Sequence, residues 1–132
     1  MSNNIERQDL QSIAKILNLI THYEMGNNLL LESLLRSAYR YQKKQNYIFK
    51  FEKEMVSLIG QLIKIDTQKE KRAAFSRLKK DFEKLANDPV EKIMFRYFDV
   101  IAWMESKITD TPFATIVKKR YLNKSAIPVS QR

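Results

Sequence analysis

The chain has no cysteine, which excludes disulfide staples and thiolate metal centres and leaves the redox compartment unreadable. Its single histidine, His22, cannot supply a two-histidine metal site or a relay between imidazoles. Two glycines and three prolines in 132 residues offer little material for turns, so a few long helices fit better than many strands. Gly26 and Gly60 stand apart, and neither belongs to a phosphate-cradling loop. No apolar run approaches the ~20 residues of a membrane span. The opening MSNNIERQDLQ lacks the basic-then-apolar order of a signal peptide. These exclusions lead to the expectation of a soluble, cytoplasmic, non-enzymatic protein with no metal, no cofactor and no membrane partner.

What is present is ordinary globular material. Hydrophobic residues make up 44% and charged residues 30% of the chain, enough for one domain with its own core and no need of a staple. The net charge of +9 is uneven: residues 36–80 hold thirteen basic against four acidic side chains, whereas residues 81–117 hold four against seven. Clustered Lys and Arg raise the local potential and release counterions from a phosphate chain. The same residues also serve as a solvated, solubilising face.

Apolar spacing divides the chain into six helical segments. Asn3 and Glu6 form a capping pair before Leu10, Ile13, Ala14, Leu17 and Ile20, and Gly26 ends this first helix near Met25. The second carries Leu30, Leu31, Leu34, Leu35, Ala38 and Tyr41 inward, with Arg36, Arg40, Lys43 and Lys44 on another face. Gln45 and Asn46 interrupt the pattern without forcing a break. A third helix follows with Ile48, Phe51, Met55, Leu58, Ile59, Leu62 and Ile65 inward; its Gly60 either weakens it by about 1 kcal/mol or admits a close neighbour. Thr67 and Glu70 make a capping box for the fourth, which points Phe75, Leu78, Phe82 and Leu85 inward and Lys69, Arg72, Lys79 and Lys80 outward.

The stretch from Asp88 to Tyr121 is the best marked. Asp88, Pro89 and Glu91 read as a cap, a first helical position and a capping-box carboxylate. Val90, Ile93, Met94, Tyr97, Ile101, Met104 and Ile108 then form one stripe of a single long helix, widened by Phe95, Phe98 and Ala102. Thr111 and Pro112 repeat the cap-then-proline device, so a shorter helix from about Pro112 to Leu122 folds back on it. The odd-numbered helices start about 42 residues apart, within the range of two-helix repeats. The expected fold is therefore all-α: three antiparallel hairpins over residues 1–122, stacked as a solenoid or gathered as a compact bundle. Residues 123–132 are expected to form a flexible basic tail.

Residues 19–41, LITHYEMGNNLLLESLLRSAYRY, resemble a tetratricopeptide-type hairpin, with Gly26 as the turn glycine, Leu29 as the large residue three positions on and Ala38 as the small residue of the second helix. His22, with Tyr23 beside it, stands where that family usually has an aromatic, and the closing proline is missing. The segment FRYFDVIAWMESKITDTPFATIVKKRY resembles the C-terminal end of large bacterial helical-repeat proteins. The resemblance implies a scaffold that binds other proteins, a chain that forms one terminal part of a larger protein, and no catalytic residues.

Residue chemistry adds candidate surfaces rather than a reaction. Asp99 and Glu105, six apart on one helix, fall on different sides and do not make a paired acid–base site. Trp103 shares its helix face with Arg96, Asp99 and Ser106 or Lys107, either at the core edge with its indole N–H on a polar partner or as an exposed interface anchor. Tyr39, Tyr41 and Tyr47 are interleaved with Arg36, Arg40, Lys43 and Lys44, a mixture able to stack on single-stranded bases. The sequence thus favours a protein-interaction surface comprising Arg36, Arg40, Lys43, Lys44, Arg72, Lys79, Lys80, Arg96 and Trp103. The alternative is a small basic nucleic-acid-binding or regulatory protein using the Arg36 to Lys80 surface.

Overall fold

A computed structural model describes the backbone of residues 2–126 and the side chains of residues 8–122. Six α-helices and one 3-10 helix account for the ordered elements among them, and none of these residues is in a strand. The helices are α1 (Ser2–Met25), α2 (Asn28–Lys44), α3 (Lys50–Leu62), α4 (Gln68–Leu85), the 3-10 helix (Glu91–Arg96), α5 (Val100–Thr109) and α6 (Phe113–Ala126). None is long and apolar enough to cross a membrane. The chain is all-α, as its composition and spacing predict.

The three hairpins α1/α2, α3/α4 and α5/α6 each pack internally, α1 and α2 lie against α3, and α5 lies against α4. The core centres on α3, where Phe51, Met55, Leu58 and Ile59 are fully buried and Val56 and Leu62 nearly so. Its sides are covered by Ile16 of α1, Leu31 of α2 and Phe82 of α4, all at 0% exposure. Phe51 meets the rings of Phe82 and Phe95 edge-on, each with centroids 5.0 Å away. Edge-to-face pairs at this spacing add to the stabilisation from burial alone.

The first hairpin turn closes as a Schellman motif. Gly26 has φ +74°, its N–H donates to the Tyr23 carbonyl and the Asn27 N–H donates to the His22 carbonyl. A residue without Cβ suits that left-handed conformation. Asp110 does the same work after α5 at φ 53°, with the N–H groups of Asp110 and Thr111 both reaching the Ser106 carbonyl. Thr67 caps α4 as predicted, its hydroxyl accepting the Glu70 N–H at 3.2 Å.

Four predicted features are corrected. The expected single helix from Val90 to Ile108 is broken: Glu91–Arg96 is 3-10, and α5 starts afresh at Val100. The physical cause is Asp99, whose carboxylate accepts the Ala102 N–H at 3.0 Å and so acts as an N-cap. Residues 45–49 are not helical, so α2 and α3 are separated where only a weak interruption was expected. Leu10, Ala14, Leu17 and Leu30, expected on inward stripes, are exposed because α1 and α2 are covered over a narrower arc, and Val90 and Tyr97 are exposed because they stand in the turns on either side of the 3-10 helix rather than on a continuous helix. The side chains of the predicted Asn3–Glu6 pair lie outside the described residues. Helix α6 runs on to Ala126, so the predicted tail boundary after Leu122 falls inside a helix; residues 127–132 of that tail lie outside the described residues.

Candidate interaction cleft

The turns that join the helices of the three hairpins gather at one end of the molecule and line a cleft of about 950 Å³. Tyr23, Glu24, Gly26 and Asn28 come from the first turn; Ile63, Ile65, Asp66 and Gln68 from the second; Asp110, Thr111, Pro112 and Phe113 from the third. Lys71, Arg72 and Phe75 extend the wall along α4, and Trp103, Ser106 and Lys107 along α5. Hairpins of similar length stacked in one sense place like turns side by side, which explains the convergence.

Its floor is aromatic. Trp103 meets Phe75 at 5.2 Å and Tyr23 at 6.3 Å, both edge-on. The Trp103 indole N–H donates to Glu24 Oε1 at 2.7 Å, and the other oxygen of Glu24 is paired with Lys107. Trp103 is only 3% exposed, which removes it from the surface list and leaves the core-edge role with a polar partner. Burial, and secondarily the Glu24 charge, pushes the Tyr23 hydroxyl above its ordinary pKa. Lys71, Arg72, Asp66 and Asp110 have no ion-pair partner among the described residues, so the rim offers two cations and two carboxylates to a ligand.

Of the nine surface candidates, the structure brings only Arg72 and Trp103 into this cleft. Arg36, Arg40, Lys43 and Lys44 are exposed on α2, and Lys80 is exposed on α4. Helices α2 and α4 both lie against α3 rather than against each other, so these charges do not form one continuous face. Arg36 borders a separate hollow of about 420 Å³ between α2 and α3. Lys79 is drawn to Glu105 at 3.5 Å. Arg96 is exposed on the 3-10 helix and does not line this cleft; the single helix face expected to carry it with Trp103 is interrupted at Asp99.

Asp99 and Glu105 do meet through a third residue. Arg120 donates to both oxygens of Asp99 at 3.0 and 2.9 Å and to Glu105 Oε1 at 2.6 Å. Burial disfavours the guanidinium charge, but Glu105 and Asp99 outweigh it and raise the Arg120 pKa. This knot fixes α6 to α5 and occupies both carboxylates. His22 sits at the first hairpin end with Nδ1 at 3.1 Å from the Asn27 side-chain nitrogen. Among the described residues, no three His, Asp or Glu side chains are grouped to hold a metal.

Sequence reasoning placed Ser106 and Lys107 beside Trp103, and both line the cleft; it missed Glu24, Lys71 and Asp110 as cleft residues. Only the proximity of each to a predicted turn could have flagged them. Comparison with protein-family models, with curated proteins and with solved structures finds no match for this chain.

Proposed function

We propose that this chain is a non-enzymatic helical scaffold for protein–protein interaction and that the cleft between the three hairpin turns receives an extended, polar segment of a partner protein. The observation that carries the reading is the cleft itself: about 950 Å³, at the upper end of the usual range for binding pockets. Its floor is held by the Phe75–Trp103–Tyr23 contacts, so little order has to be imposed on binding. Free charges of both signs on its rim suit a peptide that carries acidic and basic side chains. The side chains most able to do acid–base chemistry are engaged elsewhere, Asp99 and Glu105 with Arg120 and His22 with Asn27.

The test is a peptide-display selection against the intact chain and against a Lys71→Glu, Arg72→Glu variant. Peptides enriched by the first and lost by the second support the reading; a selection that enriches nothing, or enriches the same peptides on both, refutes it.

One observation favours the nucleic-acid reading. Arg36, Arg40, Lys43 and Lys44 are exposed without a carboxylate partner among the described residues, and Tyr39 beside them is 43% exposed. Charge reversal at Arg40 and Lys43 would then abolish binding to single-stranded RNA or DNA and flatten its salt dependence.

A further inference from the structure

Helix α6 is the one element of the stack with no buried side chain among its described residues, Phe113 to Leu122. It packs chiefly against α5. Phe113, at its start, reaches the edge of the core, its ring stacked on Phe98 with centroids 5.6 Å apart, whereas Tyr121 and Leu122 further along are 73% and 66% exposed. Charge ties down this second part of the helix. No acidic residue follows Asp110 in the sequence, so every charged side chain of α6 is basic, and Arg120 brings one of them onto both oxygens of Asp99 and onto Glu105. The side chains of Arg120, Asp99 and Glu105 are 36%, 40% and 28% exposed, which leaves the knot within reach of water and salt.

The first residues of α6 and the turn before it belong to the cleft. Asp110, Thr111, Pro112 and Phe113 line it, and Asp99, Glu105 and Arg120 do not. Asp110 joins α5 to α6 at φ 53°, a left-handed conformation that strains a residue with a Cβ.

We propose that α6 is a movable wall of the cleft, latched by Arg120, and that its release weakens the peptide binding assigned to the cleft, an inference that rests on the scaffold reading. With α6 docked, the third turn completes the cleft begun by the other two. With α6 released, Pro112 and Phe113 lose the anchor that places them. A peptide that touches these residues binds the docked state better, and by linkage its binding tightens the docking of α6. Arg120 stands outside the cleft, so its replacement removes no contact to the peptide and acts through the position of α6.

Amide hydrogen exchange of an Arg120→Glu variant tests the latch, because the reversal sets a third carboxylate against Asp99 and Glu105. Lys119→Glu is the control: it makes the same change of charge at an exposed neighbour that forms no ion pair among the described residues. In the parent and the control, α6 is expected to show protected amides that exchange at least about a hundredfold faster than those of α3. In Arg120→Glu, α6 loses its protection and α3 keeps its own. A peptide enriched on the intact chain is expected to slow α6 exchange in the parent and to bind Arg120→Glu at least about fivefold more weakly than the control. Arg120→Gln, which removes the pairs without adding repulsion, is expected to move both readouts the same way by less.

Amides of α6 and α3 that exchange at one rate in the parent, or lose protection together in both Arg120 variants, make the two helices one unit and overturn the latch. Protection of α6 that survives Arg120→Glu overturns it equally. A peptide held alike by Arg120→Glu and the control while α6 is released overturns the coupling and leaves the scaffold reading standing. A selection that enriches no peptide refutes the scaffold reading itself and the coupling with it, so the two failures are distinguishable.

Discussion

Glu91 caps a helix that begins 41 residues before it: one carboxylate oxygen accepts the Phe51 N–H at 2.8 Å, and the other accepts the Lys50 N–H at 3.1 Å and the Tyr47 hydroxyl at 3.3 Å. The first N–H groups of an α-helix have no partner within it, and here α3, the centre of the core, receives one from the 3-10 helix. Glu91 is 3% exposed. Glu91→Ala leaves buried donors unsatisfied and is expected to cost about 2–3 kcal/mol, with Glu91→Gln costing less because one acceptor oxygen remains. Urea unfolding of the two variants checks this; equal and negligible losses would mean that the capping contributes nothing.

Asp99 has two separable duties, capping α5 and anchoring Arg120. Asp99→Asn keeps an N-cap oxygen and loses the ion pair; Asp99→Ala loses both. The expected order of stability is parent, then Asn, then Ala, with the Ala variant about 1–2 kcal/mol below the parent. Thermal unfolding reads the order, and an Ala variant as stable as the Asn variant contradicts the cap.

The two left-handed turns respond oppositely to substitution. A Cβ at Gly26 meets nothing within 4 Å, so the cost of Gly26→Val is conformational, about 1 kcal/mol or more. Asp110→Gly relieves the same strain and is expected to stabilise by several tenths of a kcal/mol to about 1 kcal/mol. Tm shifts of the same sign for both variants would contradict this account of the turns.

Two tyrosines hold their protons more tightly in the folded chain. Burial raises the pKa of both Tyr23 and Tyr47 above 10.0, with Glu24 adding to the first and Glu91 to the second. A raised pKa means that the folded state holds the proton more tightly. The stabilisation is complete below about pH 10 and is lost as pH rises from there through the folded values. Ultraviolet titration should show these hydroxyls ionising late, and Tyr23→Phe with Tyr47→Phe should flatten the fall of stability above about pH 10. An unchanged slope in the double variant would contradict the assignment.

Much of the fold was legible because its signals are local. The Gly26 turn and the Thr67 cap each depend on residues within a few positions. The break at Asp99 was not, because Tyr97, Ile101 and Met104 keep helical spacing across it and mask the cap. Glu91 read as a local capping-box residue. Its N–H does bond Asp88, but its carboxylate serves α3, a tertiary relation that no spacing encodes. Asp110 escaped notice since glycine is the usual sign of a left-handed cap. Little of the cleft was legible: Arg72 and Trp103 were chosen for their chemistry, whereas the convergence of three turns on one end arises only from stacking.

The most direct measurement is a capture from the source cell's lysate, after nuclease and at low and high salt, run in parallel with the parent chain, the Lys71→Glu, Arg72→Glu variant and an Arg40→Glu, Lys43→Glu variant. The scaffold reading predicts specific proteins held by the parent and by the α2 variant at both salt concentrations and lost by the cleft variant. Captured nucleic acid in a sample spared nuclease, stripped by salt and abolished by the α2 reversal while the cleft variant captures as the parent does, would contradict it.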